Sequence, residues 1–396
     1  MAPLRPPARG GATADRGHMD LDLDDDQRLF VETTQRFLAD TCSPAEVRRL
    51  AEETDGFDTG WWRQAATLGW TSLLAPAAFG GGSISGEGVF ELTLLAFEMG
   101  RHVAPGPFIG TNVVVGALAQ SGTADQQRAH LPGLLEGSAI AAWCLGEAGW
   151  PFGIPGVQVR DGSPGDSLVL SGRTSPVPYA AVADIFLVTA RIGDGVVQLL
   201  VPAATPGVTV ERLGSIDLVR RFGAVTFDDV EVPASAVVGD GDAAGDVERQ
   251  TQLVLVLHCA ETVGALGQVF DRTLDWSFDR LSFGRPLASY QALKHRLADD
   301  KTRLEACKAT ATAAARSLED PGGDPVRLTR VASTYIGDHA TEVMQDCVQL
   351  HGGIGVTWEH DLHLFLRRAA VNRMSFGQPH EHREKIAELI GMGSPT

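Results

Sequence analysis

Two periodicities alternate along this chain. From Asp24 to about Glu136 the hydrophobic positions follow a helical period. The segment DDDQRLFVETTQRFLADTC opens on acidic residues, which suit a helix N-terminus, and Leu29, Phe30, Thr33, Phe37 and Leu38 recur at helical spacing. The turn clusters Gly80-Gly81-Gly82 and Pro105-Gly106-Pro107 separate this helix from others expected at 88–100 and 111–121. From about Ala139 to Val238 the period shortens. The runs SLVLSG, ADIFLVTAR, VVQLLVPA, GVTVERL and AVTFDDVEVP are bounded by Gly, Pro and Asp and are rich in Val, Leu and Ile. They predict a strand-and-turn block, a small β-barrel or sandwich. From about Gly245 long helices return, expected at 246–280, 289–317, 325–350 and 360–374, with Pro321-Gly322-Gly323 turning one helical hairpin. The expected division is a tail over 1–18, a helical domain over 19–138, a β-barrel domain over 139–240 and a helical bundle over 241–396.

Composition narrows the class. A hydrophobic share of 44% and a charged share of 21% are those of a globular chain with a sizeable core. The formal charge of −17, from 33 Lys+Arg against 50 Asp+Glu, argues against a nucleic-acid partner, which needs a basic face. A small phosphorylated ligand remains compatible, because a few local donors suffice to hold it. Cys42, Cys144, Cys259, Cys307 and Cys347 are scattered and form no CxxC pair. They read as reduced thiols of a cytoplasmic protein, with no disulfide framework and no metal site. No apolar run is read as a bilayer span, so no membrane partner is expected. Residues 1–18 lack the apolar stretch of a signal peptide. A disordered tail, an expression remnant or a start codon placed ahead of Met19 fits them better.

Three local motifs carry a resemblance. Asp279-Arg280-Leu281-Ser282-Phe283-Gly284-Arg285-Pro286-Leu287 is followed by Tyr290-Gln291 and Leu297-Ala298-Asp299. Gln349-Leu350-His351-Gly352-Gly353-Ile354-Gly355 is the second, and Phe227-Asp228-Asp229-Val230-Glu231-Val232-Pro233 closes the β region. In order and spacing these resemble the R-x-x-F-G-[RK]-P…Q…LAD, Q-x-x-GG-x-G and F-D-x-V-x-V-P segments of the acyl-CoA dehydrogenase family, over nearly the whole chain from about residue 20. The stretch Thr357-Trp358-Glu359-His360-Asp361-Leu362-His363 looks like the branch common in actinobacterial lipid and sterol side-chain degradation.

The resemblance implies a mostly α fold with a central β domain: an N-terminal α domain, a middle β-barrel and a C-terminal four-helix bundle. It implies FAD at a subunit interface of a tetramer and an acyl-CoA substrate. Carried over, Arg280 offers a charge-assisted donor to the pyrophosphate. Phe283 offers an apolar face, and Gln291 and Gln349 offer amide hydrogen bonds. Gly352 and Gly353, lacking Cβ, let the backbone come close to the cofactor.

The family's reaction is α,β-dehydrogenation of an acyl-CoA thioester. A carboxylate within reach of Cα takes the α-proton while the β-hydride passes to the flavin. Most members place that carboxylate in a Y-E-G-T-like turn, and a minority on the helix before the R-x-x-F segment. Here the first place holds Phe376, in Met374-Ser375-Phe376-Gly377-Gln378, and the second holds Val254; Leu255 stands where the family has a neighbouring arginine. Neither side chain can accept a proton. Glu261, two turns beyond Val254, is the candidate that remains, weighed against an ordinary role paired with an arginine. His258 reads as a core or interface histidine. The family's T-E-P stretch reads Leu145-Gly146-Glu147-Ala148-Gly149, and its W-x-T signature is not recognisable around Arg173-Thr174-Ser175-Pro176. Arg220-Arg221 and Arg367-Arg368 are weighed as sites for CoA phosphates against surface ion pairs.

Three readings stay open at this point. The chain is a dehydrogenase with a relocated base, or the base-lacking subunit of an α2β2 complex, or a member of the fold recruited to other chemistry or to a structural role.

Overall fold

The computed structural model describes residues 23–146, 155–162 and 167–392. The expectations for the 1–18 tail, for Met19 and for Glu147-Ala148-Gly149 lie outside the described residues.

Six helices come first: α1 (Asp25–Thr41), α2 (Pro44–Ala51), α3 (Thr59–Thr67), α4 (Gly88–His102), α5 (Phe108–Ser121) and α6 (Ala124–Leu135). α1 starts where the acidic run suggests. Asp24 accepts from the Gln27 amide at 2.8 Å while Gln27 reaches back to the Asp24 N–H, a reciprocal cap. Its buried stripe differs from the expected one. Gln27, Val31, Thr34 and Leu38 face inward, Phe30 and Phe37 pack on the shoulder of the core, and Leu29 is exposed. Bulk alone does not fix a helix face; the face that α4 covers does.

The strands are β1 (Ala141–Cys144), β2 (Val157–Asp161), β3 (Ser167–Pro178), β4 (Ile185–Ile192), β5 (Gly195–Pro202), β6 (Val208–Leu213), β7 (Phe222–Pro233) and β8 (Val237–Val238). They form one mixed sheet in the order β6-β7-β3-β2-β4-β5-β8, with β1 pairing in parallel to β4. Among the described residues the eight strands form one central mixed sheet whose end strands are β6 and β8. β1, β2 and β8 are absent from the sequence reading. β1 is four residues buried on both sides, so it shows no alternation.

The second helical region holds α7 (Ala244–Asp279), a hairpin of β9 (Leu281–Ser282) and β10 (Arg285–Pro286), then α8 (Gln291–Ser317), α9 (Pro325–His351), α10 (Leu362–Met374) and α11 (Pro379–Leu389). The four expected helices therefore stand, with a fifth at the end. Contrary to the reading of the linear sequence, α7 does carry an 18-residue window apolar enough to cross a bilayer, with mean hydropathy 1.6. It is the central core helix, 94% of that window being covered by the rest of the protein.

α7 crosses α4 at glycines. A Cβ on Gly100 would lie 1.9 Å from the Glu261 carbonyl oxygen, and one on Gly264 1.9 Å from that of Phe97. Backbone against backbone leaves nothing that can swing aside. Gly264→Ala is therefore expected to destabilise by at least about 3 kcal/mol, the upper end for overpacking, read as a fall in the urea midpoint. An unchanged midpoint would mean that the helices separate freely at this crossing.

Candidate functional site

Two surfaces gather the residues singled out above, one facing outward and one facing inward.

The outward surface lies at the shared end of α7 and α9. Trp276 joins the two helices: its Nε1–H donates to the Leu350 carbonyl at 3.3 Å, and its ring stacks on His351 with centroids 5.2 Å apart. Arg280, at the end of α7, holds its guanidinium 5.7 Å from the Trp276 ring, and the described residues offer it no carboxylate within ion-pair reach. Beyond it the β9–β10 hairpin turns through Phe283 and Gly284 with φ of +48° and +75°. Two successive positive φ values make a primed turn, unusual for phenylalanine. Three contacts hold it. Leu287 N–H donates to the Arg280 carbonyl at 2.9 Å, the Tyr290 hydroxyl donates to the Ser282 carbonyl at 2.8 Å, and Arg285 lies 3.8 Å from the Tyr290 ring. The result presents Phe283 at 98% exposure. Gln291 is exposed at the start of α8, and Gln349 is exposed near the end of α9.

Gly352 follows with φ +67° and ψ −144°, a backbone state that glycine alone adopts readily. A Cβ on Gly352 or Gly353 would meet nothing within 4 Å, so the space on that side is open to something outside the chain. The structure thus brings Arg280 and the Gln349–Gly353 end together, with Phe283 and Gln291 on the adjoining hairpin and helix start. Gly355, by contrast, packs inward, where a Cβ would sit 2.7 Å from the Val348 carbonyl oxygen.

The inward surface is a cleft of about 1750 Å³, counted out to open solvent, between the sheet and the second helical region. Leu145, Gly146, Pro176 and Phe222 line one side, and Val371, Met374 and Phe376 the other. Gly146 is anchored, its carbonyl accepting from the Thr174 hydroxyl at 2.9 Å and the Ser175 N–H at 3.1 Å. The turn Ser375-Phe376-Gly377 keeps positive φ at both of its last positions, +59° and +102°. Phe376 lies parallel to Trp143, with centroids 5.9 Å apart at 9°, and leans on His258 at 5.5 Å. Trp143 is itself fixed by its Nε1–H to Thr189 at 3.1 Å. Behind this pair is a smaller cavity where Phe108, Val254, His258 and Glu261 meet. Val254 is buried, and burial followed by the field of Arg220 holds His258 down at about 3, hence neutral at pH 7.

Glu261 is saturated. Arg220 grips both carboxylate oxygens at 2.7 Å, Arg368 donates to one at 2.7 Å, and Asn372 donates to the other at 2.8 Å. Arg368 also bonds Asp217, and donates to the Ala104 carbonyl at 3.0 Å. Burial alone would raise both acids, but the guanidiniums outweigh it and hold Glu261 and Asp217 at about 2. A carboxylate this well satisfied has little affinity for a proton. Its geometry is that of the arginine-paired role weighed against the base.

The arginine pairs depart from the expectation in one respect. Arg220 and Arg368 are buried in this network, so they are neither phosphate ligands nor surface ion pairs. Arg221 donates to the Leu218, Ala51 and Glu53 carbonyls, and Arg367 donates to that of Ile216. A signal was present: Arg368 falls on the buried stripe Leu364, Phe365, Arg368, Ala369, Asn372 of α10, where a charge needs a buried partner.

Both acids have folded pKa values below their ordinary ones of 4.5 and 3.8. Their stabilisation is present above those values and is lost as pH falls towards 2. Urea midpoints are therefore expected to drop between about pH 4.5 and 2, and to drop less in Arg368→Met, where Asp217 loses the guanidinium bonded to it and Glu261 keeps one arginine, Arg220.

The description "Acyl-CoA dehydrogenase, N-terminal domain" matches residues 24–138, and "Acyl-CoA dehydrogenase, C-terminal domain" matches 254–391. Acyl-CoA dehydrogenase IpdE2 of Mycolicibacterium smegmatis is 27% identical over 366 residues, 92% of this chain and 98% of its own length. FadE27 of Mycobacterium tuberculosis is 29% identical, covering 85% and 89%. Among solved structures, a variant of the Tcur3481-Tcur3483 steroid ACAD superposes with a TM-score of 0.84 at 28% identity, covering 93% and 98%. The ChsE4-ChsE5 complex from Mycobacterium tuberculosis gives 0.83 at 26%, covering 95% and 100%. Among the described residues no cluster of His, Cys, Asp or Glu suits a metal ion. With family matches at both ends, relatives along nearly its full length and the fold in common, this chain belongs to the acyl-CoA dehydrogenase family.

Proposed function

We propose that this chain is the base-lacking subunit of a heteromeric, FAD-dependent acyl-CoA dehydrogenase, an oxidoreductase acting on CH–CH bonds, and that it completes the FAD site of a partner subunit of the same fold. One observation carries the reading. The turn that should present a carboxylate keeps its left-handed backbone but presents Phe376, stacked flat on Trp143, while the outward surface around Arg280 is intact. The two-chain names of the Tcur3481-Tcur3483 and ChsE4-ChsE5 neighbours support a heteromeric assembly.

The residues present fit FAD in part. Arg280 is an exposed guanidinium free to meet a pyrophosphate, and Gly352 and Gly353 leave room for close approach. The inward cleft is wide and apolar enough for a flat ring. Bound FAD supplies the acceptor for the β-hydride. What this chain cannot supply is the proton step. Phe376 and Val254 have no basic atom, and Glu261 is held ionised by two arginines, so protonating it would leave two buried cations undercompensated. In this reading the partner's carboxylate takes the α-proton. The substrate is an acyl-CoA of the lipid or sterol side-chain class.

The test is direct. Expressed alone, the chain should be colourless and inactive towards butyryl-CoA and steroid-CoA esters with an artificial acceptor. Both properties should recover when it is co-expressed with an adjacent-gene dehydrogenase that retains the Y-E-G-T glutamate. Stoichiometric FAD with turnover from the chain alone would sink the reading. In that event a loss of turnover in Glu261→Gln, with the fold intact by circular dichroism, would restore the relocated-base alternative.

A further inference from the structure

We infer that Phe376, stacked on Trp143, sets the depth of the inward cleft: the two rings seal off an apolar cavity behind them, so the cleft stops at this wall and excludes an unbranched alkyl or acyl chain. The inference rests on the proposed function only in taking an acyl chain as the group to be shut out.

The wall stands between two spaces. Trp143, Pro178 and Phe376 line both the cleft and the smaller cavity, which measures about 520 Å³ on the same count. That volume falls within the range of about 300–1,000 Å³ of ordinary small-molecule sites. Met99, Phe108, Val113 and Val254, all buried, make it apolar. Arg220 and Glu261 also line it, but the guanidinium is bonded to both carboxylate oxygens. What the cavity offers a ligand is therefore removal of a narrow apolar group from water.

Both halves of the wall are held rigidly. The Thr189 hydroxyl oxygen, which accepts from Trp143, also accepts from Gln198 Nε2 at 3.2 Å. Gln198 and Gln250 exchange two amide hydrogen bonds, at 2.6 and 2.8 Å, and so tie β5 to α7. All four side chains are buried, so the indole is the end of a polar network that cannot turn to water instead.

Phe376 is held by the residues on either side of it. The Ser375 N–H and hydroxyl both donate to the Val371 carbonyl, at 3.0 and 2.8 Å, and the Gln378 N–H donates to the Glu381 carboxylate. A Cβ on Gly377 would lie 3.0 Å from the His382 ring. A phenylalanine at φ +59° is strained, and such a residue persists only where its surroundings over-determine it. Here the surroundings are Trp143 on one side of the ring and His258 on another. Glycine is relaxed at that φ, so Phe376→Gly removes the ring without adding backbone strain.

Isothermal titration of the full chain with n-butanol, n-hexanol and n-octanol reads the depth directly. An alkyl chain that enters the cavity gains roughly 15-fold in affinity for every two methylenes buried. Wild type should gain little with length, because a chain lying in the open cleft stays partly in water. In Phe376→Gly the octanol-to-butanol affinity ratio should rise at least roughly 10-fold above that of wild type. Phe376→Tyr, which keeps a ring, and Leu29→Ser, on remote α1, should both behave as wild type. If the urea midpoint shows that Phe376→Gly does not fold, Trp143→Leu takes its place, thinning the wall from the other side. An unchanged ratio in the folded variant, the full gain already present in wild type, or the same rise in Phe376→Tyr overturns the wall. None of these readouts depends on FAD or on a second chain. If the ratio rises but no partner restores FAD and turnover, the heteromeric reading falls and the wall stands. If a partner restores both while the ratio is unchanged, the wall falls and the heteromeric reading stands.

Discussion

Arg368→Met is expected to destabilise the folded chain by about 3–5 kcal/mol, the usual result of removing one member of a buried ion cluster. Arg368 is wholly buried and is the hub that ties three parts of the chain together. It reaches Asp217 before β7, Glu261 on α7 and the Ala104 carbonyl between α4 and α5. Methionine fills much of the volume but leaves Asp217 without the guanidinium bonded to it and Glu261 with Arg220 and Asn372. The measurement is urea unfolding at pH 7. Adding Asp217→Asn to Arg368→Met should recover part of the loss, because the stranded charge goes with it. If single and double variants unfold at the same urea concentration, the cost lies in packing and the charge argument is wrong.

Arg280→Gln should leave the isolated chain's melting temperature unchanged, yet strip FAD from the assembled complex. The side chain is exposed and, among the described residues, pairs with no acid, so the fold loses little beyond a surface contact with the Trp276 ring. A hydrogen bond to a charged group contributes about 1.5–3 kcal/mol, so FAD affinity should fall about 10- to 150-fold. The readout is flavin per heteromer after gel filtration of the co-expressed pair. Unchanged flavin content would mean that this arginine does not face the cofactor in the assembly.

The two variants separate what was legible in the sequence from what was not. Arg280 stands in a local motif, Arg280-Leu281-Ser282-Phe283, whose spacing alone marks it. The long helices were legible for a similar reason. α7 to α10 begin and end within about two residues of the expected bounds, because long periodic runs stop at Pro321-Gly322-Gly323 or Gly352-Gly353. β1 was not legible: Ala141 to Cys144 are all buried, and a four-residue apolar run carries no period. Nor was the inward stripe of α1, since the larger residues Leu29 and Phe30 sit off it.

Arg368 was legible only as a charge. Its partners lie 151 and 107 positions away, and no local spacing records a pairing of that range. The parallel stack of Phe376 on Trp143 is equally non-local, although it turns a missing base into a filled and flattened wall.

By itself the sequence determined the α–β–α order, the family motifs and the absence of a proton acceptor at Phe376 and Val254, because each is written in neighbouring residues. Tertiary structure alone decided the rest. It placed Glu261 between two arginines in a buried network, and it set Arg280 over the Trp276 ring beside the Gln349–Gly353 end. Both outcomes depend on which distant side chains share a dry interior or an open face, and that is fixed only when the helices cross.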